Sequence, residues 1–310
     1  MSENFFSDIP THTRSYETLL PTDIDSSGCF IFAADATEPR GHLPVWQSMK
    51  SNSPGRCITI LRQEKGDIEV EKYDGEVSWV SLTDDAELLA LLPDRPLYMD
   101  ISGLDHHVWA SFLRVIAQVN KPIRVVYAEP LSYKPHPTPA SPDAFDLTRS
   151  FRGLSPLPGM ARLAGPDDMQ DCLLVTFMGF EGNRARHIAQ QFPDVPRVIP
   201  IVGVPGFRIE YPTVTIACNR HFVSDHSAHS DIRYARASCP FEAYAVLSEL
   251  RRDYREHYLY IAPIGTKPHA LGAIRYAVDN PNTTEVLYDH PMRKTGRTDG
   301  IGIVHVYEFK

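Results

Sequence analysis

The sequence predicts an α/β protein of two tandem units, each a parallel sheet covered by helices. Three observations carry this. Short apolar runs at residues 29–34, 57–61, 97–101, 123–127, 173–177, 198–202 and 259–264 read as buried strands. Apolar residues at helical spacing recur between them, the pattern of strand–helix–strand crossovers. The second half of the chain then repeats the order of the first. A last apolar run, 303–309, follows a turn rather than a helix, so it is expected to lie antiparallel to its neighbour.

In chain order, residues 1–27 are polar and turn-rich and read as an irregular N-terminal arm. The strand at 29–34 enters a polar loop, 35–41, and a short helix is expected at 43–49. After the strand at 57–61, residues 68–73 and 77–82 alternate apolar and polar side chains, as half-exposed strands do. Asp84 and Asp85 begin a helix carrying Leu88, Leu89, Leu91 and Leu92; acidic groups favour a helix N-terminus. The strand at 97–101 ends in the turn Ser102-Gly103. Val108, Phe112, Val115 and Ile116 then form a helical stripe, followed by the strand at 123–127.

From 130 to 166 the composition changes: eight prolines and few sustained apolar runs suggest a linker or a long surface crossing. Its tract 133–139 has the alternating prolines of a polyproline-like segment, either a stiff spacer or a peptide-docking motif. The second half opens with the strand at 173–177, the loop 178–183 and a helix carrying Ala185, Ile188, Ala189 and Phe192. Residues 204–240 read as irregular. A helix with Ala243, Val246, Leu247 and Leu250 precedes the strand at 259–264, and a helix with Leu271, Ile274 and Val278 follows it. A strand is expected at 285–288 and a turn at 297–300. The resulting division is an arm (1–27), a first Rossmann-like unit (28–130), a Pro-rich linker (131–170) and a second Rossmann-like unit (171–310).

The halves resemble each other in detail. Leu97-Tyr98-Met99-Asp100-Ile101-Ser102-Gly103, a helix, and Val126-Tyr127-Ala128-Glu129-Pro130 match Leu259-Tyr260-Ile261-Ala262-Pro263-Ile264-Gly265, a helix, and Leu287-Tyr288-Asp289-His290-Pro291. Tyr260 lies 162 residues after Tyr98, and Tyr288 lies 161 after Tyr127. An internal duplication of a three-layer unit explains this spacing; the shared plan of any two βαβ units is the alternative. In open α/β sheets ligands bind beyond the C-terminal strand ends, where these loops should gather.

The net charge of −8 argues against extended nucleic-acid binding and against anionic membrane surfaces. Five cysteines, none in a C-x-x-C pair, argue against a zinc ribbon or redox dithiol and suit a reducing compartment. The first ten residues hold no apolar leader, and no apolar run approaches the roughly 20 residues of a membrane span. A cytoplasmic chain is expected, with no cofactor and no metal site. Neither a Walker A sequence nor a G-x-G-x-x-G following a strand is present. No serine sits in a G-x-S-x-G elbow, so no catalytic residue can be named.

The sharpest candidate for ligand binding is Gly265, Thr266, Lys267 and His269. Glycine permits a tight turn, Thr266 offers a hydroxyl and Lys267 a point charge, all at a helix N-terminus that favours anions. The alternative is an ordinary helix cap. Glu38 with Arg40, and Glu181 with Arg184, each follow the first strand of a half. Arginine can grip phosphate and glutamate a ribose or base; otherwise each pair is a salt bridge that fixes its loop. Gly179 belongs to the second loop. Ser102 and Gly103 are the first-half counterparts of the Gly-Thr-Lys turn, with its backbone plan but not its charge. His221, Asp225, His226, His229 and Asp231 match no metal-binding spacing and read as a polar loop over the cleft. His106-His107 opens a helix, and Asp289-His290 follows a strand where acid–base work or simple hydrogen bonding is open to it.

The run Ile264-Gly265-Thr266-Lys267-Pro268-His269-Ala270-Leu271-Gly272 resembles the Gly-Thr-Lys motif of CRISPR-associated Rossmann-fold (CARF) sensor domains. The tandem arrangement resembles the fused CARF-like pairs called SAVED domains. The resemblance covers mainly residues 173–291. It implies a nucleotide-sensing subunit of prokaryotic antiviral defence that binds cyclic oligonucleotides and works with a protein effector. It further implies that Gly265, Thr266 and Lys267 touch the ligand and that the loop 179–184 faces it. Some members of the family cleave their ligand, so a nucleotide-processing enzyme of phosphodiesterase or glycosidase type is the alternative, and a structural scaffold subunit a further one. Two departures stand out. Ile264 occupies a position where the family often has a second glycine, and the first half has Ser102-Gly103-Leu104-Asp105 in place of Thr-Lys, which argues against a symmetric ligand site.

Overall fold

The computed structural model describes residues 12–140, 143–161 and 171–309. The chain divides into two compact units: residues up to Tyr133 together with those from Thr298 onward, and Lys134–Arg297.

In the first unit, β1 (His12–Tyr16) precedes β2 (Cys29–Ala33), every side chain of which is buried. The helix α1 (Pro44–Asn52) starts on a proline, whose fixed φ and missing N–H suit a first helical turn, and buries Val45, Trp46 and Met49. Then come β3 (Cys57–Gln63), β4 (Asp67–Glu71) and β5 (Val77–Ser81). Gly75, at φ 86°, takes the left-handed position of the tight β4–β5 turn. The helix α2 (Asp85–Ala90) is capped by Asp84, whose carboxylate accepts from the N–H groups of Ala86 and Glu87. A crossover follows: β6 (Leu97–Asp100), α3 (His106–Gln118) and β7 (Ile123–Ala128), then the short β8 (Ser132–Tyr133).

The second unit begins with β9 (Pro135–Ala140), β10 (Asp143–Phe145) and β11 (Thr148–Phe151). Its main run is β12 (Cys172–Phe177), α4 (Gly182–Ala189), β13 (Arg197–Gly203), α5 (Tyr211–Asp225) and β14 (Arg233–Ala235). It continues through α6 (Pro240–Asp253), β15 (Tyr258–Pro263), α7 (Lys267–Asp279), β16 (Thr284–Val286) and β17 (Pro291–Arg293). The chain then returns to the first unit as β18 (Thr298–Asp299) and β19 (Val304–Phe309).

The first unit holds an eight-stranded mixed sheet in the order β1-β19-β7-β6-β2-β3-β4-β5. The central strands β7, β6, β2 and β3 are parallel; β19, β1, β4 and β5 join antiparallel. The second unit holds a five-stranded, wholly parallel sheet, β14-β13-β12-β15-β16. Strand alternation divides its core. Leu173, Val175 and Phe177 pack with Ala243, Leu247 and Ala273, whereas Leu174 packs with Ala185, Ile188 and Phe222. Each such large side chain contributes roughly 1.5–3 kcal/mol by leaving water.

The structure differs from the sequence reading in five places, one of them residues 298–299, which are expected in a turn and form β18 paired with β8. Residues 12–16, expected in an irregular arm, form a strand paired with β19; residues 1–11 lie outside the described part. The stretch expected as a Pro-rich linker includes β9 and β10, which pair with each other, and β11, which pairs with β17; its residues 162–170 lie outside the described part. The stretch 204–240, expected to be irregular, contains the 15-residue helix α5. Its buried stripe is Thr215, Cys218, Asn219, Phe222 and Val223, too polar to register as a hydrophobic face although its spacing is helical. Finally, β19, assigned by position to the second unit, hydrogen-bonds to β7 of the first. There it satisfies the edge of β7 and buries Val304 and Val306.

Candidate functional site

In the second unit the chain fills the sheet in one direction from β12 through β13 to β14, then restarts on the other side of β12 with β15 and β16. The strand order therefore reverses between β12 and β15. At such a reversal the connections leave to opposite faces of the sheet, and the gap between them beyond the strand ends is the usual crevice of an open α/β sheet. Phe177 and Pro263 are register partners at the C-terminal ends of these two strands, and Gly179 and Gly265 follow them. The two glycines are pressed together. A Cβ on Gly179 would meet the Ile264 carbonyl oxygen at 2.8 Å, and one on Gly265 the Met178 carbonyl oxygen at 2.8 Å. Neither position tolerates a side chain without movement.

Thr266 is the N-cap of α7. Its hydroxyl oxygen accepts from the His269 N–H at 3.3 Å and donates to the Ala237 carbonyl at 2.7 Å. Lys267 is the first residue of the helix and is only 5% exposed. His269 is fully buried beside the ring of Phe177. Its Nε2 lies 3.3 Å from the Ala235 carbonyl and 3.1 Å from that of Arg236, so Nε2 carries the proton, and Nδ1 has no hydrogen-bond partner among the described residues. Burial pushes this imidazole down to about 4 despite those two bonds, so it is neutral near pH 7.

Arg184 ties the loops of this edge together. It stands in the first turns of α4 and forks onto Asp289 after β16, with Nε–Oδ2 at 2.8 Å and Nη2–Oδ1 at 2.6 Å. Its Nη1 donates to the Ile264 carbonyl at the end of β15, at 3.2 Å. Burial alone would lower this guanidinium; the charge and hydrogen bonds of Asp289, together with Tyr288 and Glu181, outweigh it and raise it. Glu181 lies 3.9 Å from Arg184 and accepts the Thr148 hydroxyl at 2.8 Å. The Asn219 amide, from α5, donates to the Gly179 carbonyl at 2.7 Å. His290, next to Asp289, has a left-handed φ of 44° and reaches the Ser155 carbonyl at 3.0 Å. One edge of the second unit thus gathers Gly179, Glu181, Arg184, Gly265, Thr266 and Lys267. Asp289, Thr148 and Asn219 join them, and no local pattern marked the last two.

The first unit arranges its own candidates in the same way. Its strand order reverses between β2 and β6. Beyond those strand ends, Gly41 and Gly103 pack on Ala36, with 2.3 and 3.0 Å to its Cβ from the Cβ each would carry. The Ser102 hydroxyl accepts from the Ala128 N–H at 2.8 Å, and Asp100 accepts from the Ser102 N–H and the Trp46 indole. Arg40 is buried on Glu38 at 2.8 Å and also bonds the Tyr127 hydroxyl and the Ala128 carbonyl, each at 3.0 Å. Glu38 further accepts the Thr298 hydroxyl at 2.8 Å. Here the loop-fixing alternative describes the geometry: the charges face each other and the protein interior. An open cleft of about 720 Å³ lies at the opposite end of the same sheet, beside Leu97, Ile123 and the cations Arg95, Lys121 and Arg124.

The histidine-rich stretch does not converge. His221 and Asp225 lie on α5, Asp231 is held by Arg197 at 2.6 Å, and no metal-binding group of three or more His, Cys, Asp or Glu occurs among the described residues. No helix among the described residues is long and apolar enough to cross a membrane. Geometry therefore defines an α/β protein with a glycine-packed, cation-bearing edge at a sheet reversal. The chain matches no protein-family model, and no curated protein matches it in sequence.

Proposed function

We propose that the second unit binds a phosphate-bearing nucleotide at the reversal between β12 and β15 and passes the binding event to a partner effector protein. The observation that carries this reading is the position of Lys267: a nearly buried lysine at the first residue of a helix, just after the strand end where such sheets take ligands. Gly179 and Gly265 let the two loops beyond these strand ends pack backbone against backbone. The effector and a place in antiviral defence rest on the resemblance to CARF-like and SAVED-like sensors. A tandem duplication of three-layer units fits the matching parallel cores, β7-β6-β2-β3 and β16-β15-β12-β13. Asp289 is fully buried and gripped by Arg184, which leaves it poorly suited to acid–base chemistry and favours sensing over processing.

The test is a thermal-shift panel of mono-, di- and cyclic oligonucleotides on the full chain, with Lys267→Met as the control. A ligand at 100 times its Kd contributes about 2.7 kcal/mol, a rise of several degrees in Tm. Lys267→Met, referred to its own ligand-free Tm, is expected to lose most of that rise. A panel with no shift overturns the reading. Mass spectrometry of the recovered nucleotide decides between sensing, which returns it intact, and processing.

A further inference from the structure

The charge of this protein is concentrated in one place. Residues 64–87 carry nine carboxylates and two lysines, a net charge of −7 out of −8 for the whole chain. They form β4, the turn, β5 and the first turn of α2 at one edge of the eight-stranded sheet. Three cations of neighbouring elements face this ribbon: Lys50 on Glu71 at 2.7 Å, Arg62 on Glu69 at 3.2 Å and Arg114 on Asp85 at 2.6 Å. Glu64, Asp67, Asp84 and Glu87 form no salt bridge among the described residues.

The same edge exposes apolar surface. Ile68, Val70 and Val80 are buried on the inner face of the ribbon. On the other face Val77 is 51% exposed and Trp79 is 50% exposed, and Tyr73 projects from the turn between the strands. Val77 and Trp79 stand opposite Glu71 and Glu69 in register. Of the three tryptophans, Trp46 and Trp109 are buried, so Trp79 is the one in contact with water.

Backbone geometry adds a third observation. The Lys72 N–H donates to Glu76, and the Leu82 N–H to Gly66, so hydrogen-bonded pairs fall on the even-numbered residues of β5. Antiparallel alternation then turns the N–H and C=O groups of Val77, Trp79 and Ser81 away from β4. Ser81 is closed off, since Glu87 accepts its N–H at 3.0 Å and its carbonyl accepts from Asp84. Val77 and Trp79 remain as an open edge, with β4 as the sole sheet neighbour of β5 among the described residues.

We propose that β5 is the docking edge for an extended, lysine- or arginine-bearing segment of a partner protein, which adds to this sheet as a further strand. Main-chain bonds to Val77 and Trp79 would hold it, the Trp79 ring would cover its apolar side chains, and the carboxylates would select its charge. A second copy of this chain fits poorly, because like-charged ribbons repel, and nucleic acid is excluded by the same sign. Nothing in this depends on a ligand in the second unit.

The experiment titrates the full chain with a blocked peptide alternating lysine and valine, and with its glutamate–valine counterpart, following Trp79 emission and deuterium exchange. The lysine peptide is expected to shift the emission saturably and to slow exchange at Val77 and Trp79. Its affinity should exceed that of the glutamate peptide at least tenfold and fall severalfold when salt rises from 50 to 500 mM, since screening shortens to roughly 3–5 Å. Val77→Pro removes an outward N–H without touching the β4 pairing, so it should abolish binding while leaving the Tm unchanged. Trp79→Phe, with exchange as the readout, should retain it. Binding that survives Val77→Pro, equal binding of both peptides, no saturable binding of either, or a β5-dependent dimer in sedimentation each overturns the proposal.

Discussion

The guanidinium of Arg184 grips both carboxylate oxygens of Asp289, at 2.8 and 2.6 Å, across 105 residues of sequence. It joins the start of α4 to the segment after β16, and through the Ile264 carbonyl it also fixes the end of β15. Three of the loops that form the candidate edge therefore share one strut. Both partners are buried, so neither charge has water to fall back on.

Arg184→Ala and Asp289→Ala are each expected to cost about 3–5 kcal/mol, because each leaves an uncompensated buried charge. The double variant should cost less than the sum of the two. Arg184→Lys should rescue little, since an ammonium cannot reproduce the two-pronged contact. Urea unfolding of the four proteins measures this, and additive losses would remove the pair from the account.

Thr266 is expected to matter through its hydroxyl alone. Thr266→Ser keeps both the cap to the His269 N–H and the bond to the Ala237 carbonyl, and should be near neutral. Thr266→Ala loses both and should cost roughly 0.5–2 kcal/mol. If alanine and serine unfold at the same urea concentration, the cap is not contributing.

His269 should give the protein an acid-sensitive window. Its folded value of about 4 lies below the ordinary 6.5, so the unfolded chain takes up the proton first. The contribution is fully present above pH 6.5 and is lost as pH falls from 6.5 towards 4, by roughly 1.4 kcal/mol per pH unit. Below about 4 the folded state protonates too and the loss stops. Stability measured from pH 7 to 5 should fall more steeply in the native sequence than in His269→Gln. Parallel curves for the two would show that His269 is not the group responsible.

Gly272 sets the distance between α6 and α7. A Cβ there would sit 2.0 Å from the Pro240 carbonyl oxygen and 2.9 Å from the Ala243 Cβ. Gly272→Ala should therefore destabilise by about 1–3 kcal/mol despite alanine's better helix propensity. A stabilised Gly272→Ala protein would mean that the two helices separate freely.

Most of the regular elements could be read from local signals, because buried strands need unbroken apolar runs and amphipathic helices need a 3.6-residue repeat. The runs at 29–34, 97–101, 173–177 and 259–264 all became central strands for that reason. The turn at 265–267 was legible too: a glycine, a capping hydroxyl and a proline in the first helical turn are local signals. What the charged candidates do depends on partners that the folded chain brings to them. Glu38 and Arg40 meet Thr298 and Tyr127, and Arg184 meets Asp289, through contacts spanning 87 to 260 residues that no local pattern encodes. The return of β19 to the first unit is likewise tertiary, because an open strand edge accepts whichever extended segment folding brings to it. The helix α5 stayed hidden because its buried face is built of Thr215, Cys218 and Asn219, whose burial depends on hydrogen bonds and neighbours rather than on hydrophobicity.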